Sequence, residues 1–282
     1  MAKKEKKNKE YWSMTEGVFN CLIDNKRTIS FTNAIKKTVK KGDVVVDMGT
    51  GTGILAMFAA DVGARKVYAI EIDKKNIKTL KESFLQNGYD RIIEIIEGDV
   101  REVKIPEKID VIIGEMIATG LIEELQIPAM NNILKYAKKD CRVLLNKYEN
   151  YIDLVNNNDI YYGKKFFITR YEYPDEKELK SKSFSSKYLL NIVDFNIINI
   201  SNVIDKKIEI EINKKGIING VRISSKTIFY DKTFFDYSFA YSYPIILPID
   251  TMHVGVGDIF VLHIKYNMCE GFKTLKYSIN KK

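Results

Sequence analysis

Cysteine and histidine are scarce in this chain of 282 residues. It contains three cysteines and two histidines. The cysteines Cys21, Cys141 and Cys269 are too widely separated in sequence to form a metal-binding or redox pair. A few unpaired thiols are typical of proteins from a reducing compartment. We therefore predict a cytoplasmic protein with free thiols and no metal site.

Long apolar runs are also missing. No stretch approaches the ~18 apolar residues of a membrane span, and the N-terminus has no apolar signal region, so we expect no membrane partner. The net charge is +8, which would suit nucleic acid or another acidic partner. A general richness in lysine explains the same charge, and part of it lies in Lys3–Lys9. Residues 1–10 are predicted to form a disordered basic tail.

Apolar strands alternate with amphipathic helices between residues 11 and 150. The strands are short and apolar throughout, as expected for parallel strands that are buried on both faces. The predicted strands start at Val44, Val67, Ile92, Asp110 and Arg142, and the predicted helices span about 11–40, 55–62, 74–86 and 121–137. This rhythm predicts an α/β domain over residues 11–150 with a doubly wound, mostly parallel, Rossmann-like sheet.

The pattern changes after residue 150. Ile208–Ile212 alternates strictly between apolar and charged residues, as in a strand with one buried face. Pro244 and Pro248 bracket a segment that should be an edge strand or a bulge. Ser181–Ser186 is polar and is predicted to be a long surface loop. We expect a smaller, antiparallel, barrel-like β domain over residues 151–282.

The loop after the first predicted strand is rich in glycine. Gly49, Gly51 and Gly53 have the spacing G-x-G-x-G, whereas a dinucleotide fingerprint requires G-x-G-x-x-G. Asp47 lies two residues before the first glycine. A carboxylate at this position would repel a pyrophosphate, but it suits the amino group of S-adenosylmethionine. The loop therefore predicts S-adenosylmethionine as the cofactor.

Further acidic residues follow the next two strands. Glu71 ends the second predicted strand, where it can accept both ribose hydroxyls of the cofactor. Asp99 follows the third strand, and either its carboxylate or the Val100 amide could meet the adenine edge. Ligands of open α/β sheets bind outside the carboxyl ends of the strands. We therefore predict one cofactor site from these residues and the glycine loop.

Glu115 and Glu124 form a second candidate group, nine residues apart. On one continuous helix, nine steps of about 100° would place them on opposite faces. They can converge if the segment from Met116 to Gly120 is a loop that doubles back. A pair of carboxylates matches the donors of a guanidinium, and it could orient the target nitrogen and accept its proton. A position near a helix N-terminus would favour Glu124 for its charge alone.

The chain from about Tyr11 to Tyr148 resembles the catalytic half of the protein arginine methyltransferases. The matching segments are Lys26-Arg27-Thr28, Val45–Ala60, Gly63–Glu71, Gly114-Glu115-Met116 and Leu121–Glu124. The resemblance implies that Glu115 and Glu124 grip the substrate guanidinium and that Arg27 binds the cofactor carboxylate. The partner implied is a protein with an exposed arginine.

Three features of the family are missing. The chain has no pair of N-terminal tyrosines beyond the partial echo Tyr11-Trp12, and its segment Phe239–Tyr243 has no histidine. The stretch near residues 170–190 is too short and polar for the family's helical dimerisation arm. The same fold could therefore methylate RNA or another protein or small-molecule nitrogen. A cofactor-binding module without activity is a further alternative, although it would predict a degraded glycine loop. The sequence leaves open whether the protein is a monomer or a homodimer.

Overall fold

The computed structural model describes residues 16–282. The predicted tail over residues 1–10 and the start of the predicted first helix, residues 11–15, lie outside the described residues. The helices are α1 (Glu16–Ile23), α2 (Asn25–Thr38), α3 (Ile54–Asp61), α4 (Lys74–Gln86) and α5 (Gln126–Ile133). Short 3₁₀ turns occur at Thr119–Leu121, Leu134–Tyr136 and Phe272–Thr274.

Five parallel strands form the central sheet. They are β1 (Val44–Met48), β2 (Lys66–Glu71), β3 (Ile93–Glu97), β4 (Ile109–Gly114) and β5 (Ala137–Val143), in the order β3-β2-β1-β4-β5. Every residue of β1 is buried, as the apolar pattern predicts for a strand covered on both faces. The predicted Rossmann-like sheet is confirmed. All of its strands end at the edge where β1 gives way to the glycine loop.

The remaining strands are antiparallel. They are β6 (Leu145–Asn156), β7 (Ile160–Tyr161), β8 (Lys164–Lys165), β9 (Arg170–Tyr171), β10 (Lys182–Ser183), β11 (Tyr188–Asp194), β12 (Val203–Glu211), β13 (Gly216–Phe229), β14 (Phe234–Phe235), β15 (Ile245–Val254), β16 (Ile259–Asn267) and β17 (Lys276–Lys281). A seven-stranded sheet is built around β6, β13 and β15, and β12, β16 and β17 form a three-stranded sheet. The segment that Pro244 and Pro248 bracket is not an edge, because Ile245 and Ile246 pair with both β13 and β9. The irregularity in the β13–β15 register lies just beyond it, between Pro248 and Met252. The expected antiparallel β architecture is confirmed.

Two further local predictions are wrong. Ser181–Ser186 is not a long surface loop, because Lys182–Ser183 pairs with β6 and both Ser181 and Ser185 are buried. Ser181 donates from its backbone nitrogen to the buried Glu172 at 2.6 Å, and Leu154 N donates to Ser185 Oγ at 2.9 Å. Buried polar partners therefore accommodate a segment whose composition is typical of a surface.

The predicted helix over residues 121–137 starts only at Gln126, and β5 already begins at Ala137. Residues 115–125, here called the carboxylate loop, contain a single 3₁₀ turn. The cause lies in the β strands, which bind the backbone of the loop. Gly120 N donates to Ser225 Oγ at 2.9 Å, and Cys269 N donates to Leu121 O at 2.7 Å. These bonds hold Leu121 and Glu124 at φ angles of 52° and 59°, which a helix does not permit.

Within residues 16–282, no helix is both long enough and apolar enough to cross a membrane. In the same range, no group of three or more histidine, cysteine and acidic side chains is placed to hold a metal ion.

Candidate active site

The glycine loop connects β1 to α3 at the carboxyl edge of the sheet. Gly49, Gly51 and Gly53 have φ angles of 60°, 56° and 81°, a region that favours glycine. A Cβ at Gly53 would lie 2.5 Å from the ring of Phe84 on α4. At Gly49 it would lie 3.1 Å from the side chain of Met116 in the carboxylate loop. The three glycines therefore allow a close turn, and the first one brings the loop against Met116.

Asp47 supports the glycine loop from inside the sheet. Its side chain accepts a hydrogen bond from Thr50 Oγ1 at 2.6 Å, and the residue is 1% exposed. Burial raises the pKa of Asp47 to about 7, although the Thr50 hydrogen bond acts in the opposite direction. The structure thus gives Asp47 a role in shaping the loop. Its contact with the cofactor amino group stays a prediction.

Glu71 lies beside the glycine loop, as the sequence predicts. Its Oε2 accepts hydrogen bonds from Gly51 N at 3.1 Å and from Asn76 Nδ2 at 3.2 Å. Its Oε1 accepts from the backbone nitrogens of Ile72 and Asp73, both at 2.9 Å. The carboxylate is thereby fixed in orientation at the end of β2.

Asn76 is a site residue that sequence reasoning missed. It lies in the first turn of α4, and its Nδ2 also donates to Gly51 O at 2.5 Å. One amide group therefore connects the glycine loop to Glu71. The sequence does contain a signal for Asn76. It is a polar residue in the first turn of the helix that follows Glu71, the candidate ribose-binding acid.

Asp99 and Val100 follow β3 at the same edge of the sheet. The Asp99 carboxylate forms an ion pair with Arg101, with Nη2 and Oδ2 2.6 Å apart. Val100 is buried, and its carbonyl accepts a hydrogen bond from Asn132 Nδ2 at 2.9 Å. The structure places both residues where the sequence predicts. Their contact with adenine stays a prediction.

Arg27 and Glu115 form a buried ion pair. Arg27 Nε and Nη2 lie 2.9 and 2.6 Å from Glu115 Oε2, and the two side chains are 6% and 7% exposed. The other carboxylate oxygen accepts from Ile117 N at 3.1 Å. Burial alone would lower the pKa of Arg27, but the Glu115 carboxylate outweighs it and raises that pKa. The sequence predicted both residues as site residues but did not predict that they pair.

Glu124 is the second carboxylate of the loop, and it is half-buried. Within residues 16–282 it has no hydrogen-bond or ion-pair partner. Desolvation, together with the negative charges of Glu115 and Glu123, raises the pKa of Glu124 to about 7. The loop is not α-helical over residues 115–125, further than the sequence predicted, so helix geometry does not force the two glutamates onto opposite faces. The convergence of the two carboxylates on one substrate stays a prediction.

Cys21 on α1 lies next to the two carboxylates. Burial raises the pKa of its thiol to about 11, and Glu115 raises it as well, while Arg27 lowers it. Cys21 is therefore a neutral thiol at physiological pH. It contributes apolar surface to the site and is a poor nucleophile.

Two tyrosines from the part of the chain after residue 150 contact the carboxylate loop, Tyr171 and Tyr243. Tyr171 donates its hydroxyl proton to Glu123 Oε2 at 2.9 Å. The ring centroids of Tyr173 and Tyr243 are 5.2 Å apart, and Tyr243 O accepts from Thr119 Oγ1 at 2.6 Å. Sequence reasoning missed Tyr171, which lies about fifty residues from its acidic partner and carries no motif.

The segment that carries Tyr243 also packs against α2. Ala240 N donates to Asp24 Oδ2 at 2.8 Å, and Lys26 Nζ donates to Tyr237 O at 2.6 Å. The β strands therefore close one side of the site. Tyrosines occupy the region in which the sequence lacks a histidine.

These residues fit S-adenosylmethionine in their chemistry. The glycine loop has no side chains that would keep a ligand away from its backbone at the three glycines. The charged residues beside it, Asp47 and Glu71, are acidic rather than basic, which suits a cofactor without phosphate. Glu71 is fixed beside Gly51, where it can meet ribose hydroxyls. The guanidinium of Arg27, in the same site, can meet a carboxylate.

Comparison with known proteins agrees with this geometry. The family model of the ribosomal protein L11 methyltransferase (PrmA) matches residues 27–143. An uncharacterized protein of Methanocaldococcus jannaschii is 35% identical over 236 residues, which are 82% of this chain and 85% of that protein. Protein arginine N-methyltransferase PRMT10 of Arabidopsis thaliana is 42% identical over 107 residues, which are 36% of this chain and 27% of that enzyme.

Two solved structures share the fold over nearly the whole chain. The Trypanosoma brucei PRMT1 enzyme–prozyme heterotetrameric complex with AdoHcy has a TM-score of 0.77, with 21% identity over 94% of this chain and 92% of that one. Arabidopsis PRMT10 has a TM-score of 0.74, with 18% identity over 94% and 95%. The chain belongs to the family of the M. jannaschii protein, within the class I S-adenosylmethionine-dependent methyltransferases that resemble the protein arginine methyltransferases. Its cofactor is S-adenosylmethionine.

Proposed function

We propose that this methyltransferase acts on a guanidinium nitrogen of a protein arginine side chain. The observation that carries the proposal is the state of Glu124, which shares one loop outside any α-helix with Glu115. Within residues 16–282 Glu124 has no hydrogen-bond or ion-pair partner, and its pKa is raised to about 7. A buried carboxylate without a cation is costly. A substrate guanidinium provides the missing positive charge and up to five hydrogen-bond donors.

The two glutamates have different tasks in this proposal. Glu115 is oriented by Arg27 and by Ile117 N, so it forms the fixed wall of the guanidinium site. Glu124 closes the opposite side. Together they hold one nitrogen in line with the methyl group, which restricts the reactants to a productive geometry.

Methyl transfer forms a bond between carbon and nitrogen and breaks the bond between carbon and sulfur. The bound cofactor supplies the electrophilic methyl group. The nitrogen that receives it must release one proton. Glu124 is the acceptor that the site offers, because its raised pKa lies close to neutral pH.

Asp47, Gly49, Gly51, Gly53, Glu71 and Arg27 are proposed to bind the cofactor, with Asp99 and Val100 at the adenine end. Support comes from the location of all of them except Arg27 at the carboxyl ends of β1, β2 and β3. Arg27 lies on α2 and reaches Glu115, which follows β4. The partner we propose is a protein with an exposed arginine. Next to the site, the hydroxyl of Tyr171 donates a hydrogen bond to the acidic side chain of Glu123, 48 residues away in sequence. Both would face such a partner.

The proposal is tested by methyl transfer from labelled S-adenosylmethionine. The acceptors are a peptide with one arginine, the same peptide with lysine in its place, and cellular RNA. We expect label in the arginine peptide alone, and loss of transfer in Glu124→Gln with retained binding of S-adenosylhomocysteine. Glu82→Gln is the control, because Glu82 is an exposed glutamate of α4 that the proposal gives no role in the site. Label in RNA, with none in peptide or extract protein, would refute the arginine acceptor.

A further inference from the structure

A buried amide donor at the start of α5 has no hydrogen-bond partner among residues 16–282. Gln126 is 1% exposed, and its Oε1 accepts a hydrogen bond from Met116 N at 3.0 Å. Its Nε2 is buried and makes no hydrogen bond to residues 16–282. Since a backbone nitrogen only donates, the Gln126 oxygen must face Met116, and this fixes the orientation of the amide. Buried donors without an acceptor are rare in native proteins, and each requires an explanation.

The surroundings of Gln126 indicate a ligand-binding role. Met116, which it holds, lies against Gly49 of the glycine loop. Glu124 precedes Gln126 by two residues in the carboxylate loop. The free donor therefore belongs to a side chain that is hydrogen-bonded to Met116, the residue that lies against the glycine loop.

The chemistry of the two reactants decides which of them can use this donor. A guanidinium carries five N–H donors and no acceptor, so it cannot accept a hydrogen bond from Gln126. S-adenosylmethionine carries acceptors at its ring nitrogens, its ribose hydroxyls and its carboxylate. We propose that Gln126 Nε2 donates a hydrogen bond to an acceptor atom of the bound cofactor. This inference rests on cofactor binding and is independent of the proposed arginine acceptor.

Two hydroxyls in the described chain are also buried without a partner, Ser224 Oγ and Ser238 Oγ. Ser224 lies on β13, and no contact links it to the glycine loop. It is therefore a matched control. Removing its hydroxyl eliminates an unpartnered polar atom from the β region and should leave cofactor binding unchanged.

The test is calorimetric titration with S-adenosylhomocysteine and no acceptor, so that a failure leaves the arginine proposal untouched. Gln126→Glu keeps the oxygen that faces Met116 N and removes the donor, whereas Gln126→Leu removes both. We expect Kd to rise by about tenfold in each variant, the usual effect of losing one hydrogen bond in a buried site. Ser224→Ala should bind as the parent does.

Thermal unfolding gives a second readout that a merely structural role would not produce. We expect the rise in Tm caused by S-adenosylhomocysteine to shrink in both Gln126 variants, as weaker binding requires. Ser224→Ala should keep the full rise. The proposal is overturned if either Gln126 variant folds, as judged by a cooperative ligand-free transition, and binds S-adenosylhomocysteine within twofold of the parent.

Discussion

Two nitrogens of Arg27 donate hydrogen bonds to a single oxygen of Glu115, Nε at 2.9 Å and Nη2 at 2.6 Å. The second oxygen of Glu115 accepts a hydrogen bond from Ile117 N, and its other lone pair can accept one from a substrate. A guanidinium of the chain itself therefore orients the carboxylate that we propose to hold a substrate guanidinium. The pair links α2 to the end of β4, where the carboxylate loop lies against the glycine loop.

Replacing Arg27 by lysine should weaken cofactor binding. One ammonium cannot reproduce the two bonds to Glu115 and also meet the cofactor carboxylate. We expect Kd for S-adenosylhomocysteine to rise by about tenfold, the effect of roughly one charge-assisted hydrogen bond. Arg65→Lys, at an ion pair with Glu107 in which the arginine side chain is 57% exposed, is the matched control and should bind like the parent. Unchanged affinity in Arg27→Lys would remove Arg27 from the cofactor site.

The affinity for an arginine peptide should rise with pH. Because the pKa of Glu124 is about 7 in the folded protein, its carboxyl is mostly neutral at pH 6 and charged at pH 8, while the peptide guanidinium keeps its charge throughout. Calorimetry with saturating S-adenosylhomocysteine should show binding that tightens up to tenfold per pH unit below 7. Asp47 titrates in the same range, so Glu124→Gln is the control. A pH dependence that persists in that variant would assign it to Asp47 instead.

Glu124→Gln should stabilise the protein at alkaline pH. The pKa of Glu124 is raised above its ordinary value, so the folded state binds more protons than the unfolded state between about pH 4.5 and 7, and stability falls as the pH rises through this window. Glutamine removes that loss. We expect a gain of up to about 3 kcal/mol in the free energy of unfolding at pH 8. Urea unfolding at pH 8 and at pH 5 measures it, and an equal gain at both values would contradict the assigned pKa.

Gly53→Ala should destabilise the fold through a clash with Phe84. The new Cβ would lie 2.5 Å from the Phe84 ring, at a φ of 81°. Gly88 has a similar φ of 77° and open space around its Cβ position, so Gly88→Ala isolates the backbone strain. We expect the Tm of Gly53→Ala to fall below that of Gly88→Ala by several degrees, corresponding to roughly 1–3 kcal/mol of overpacking. Equal melting temperatures would show that Phe84 moves away freely.

The sequence predicts the parallel sheet and its cofactor edge well, because these depend on local patterns. Apolar runs mark β1 and β2, and the helix predicted over residues 74–86 coincides with α4. Glycine spacing marks the loop between β1 and α3. Each signal lies within a few residues of the element it predicts, so no information from distant parts of the chain is needed.

The predictions fail where distant residues decide the structure. Leu121 and Glu124 have ordinary helix-forming side chains, yet bonds from Ser225 and Cys269 hold their loop in a left-handed path. Ser181 is buried because Glu172 accepts its hydrogen bonds. The Arg27–Glu115 pair spans 88 residues in sequence. Such pairings carry no periodicity or spacing that a sequence would reveal.

The most direct test of the proposed function is mass spectrometry of a peptide with a single arginine after incubation with the protein and S-adenosylmethionine. We predict a mass increase on the arginine side chain, at least a hundredfold faster with the parent than with Glu124→Gln, and no increase on the matched lysine peptide. Equal rates in the parent and Glu124→Gln, or methylation of the lysine peptide alone, would contradict a guanidinium site formed by Glu115 and Glu124.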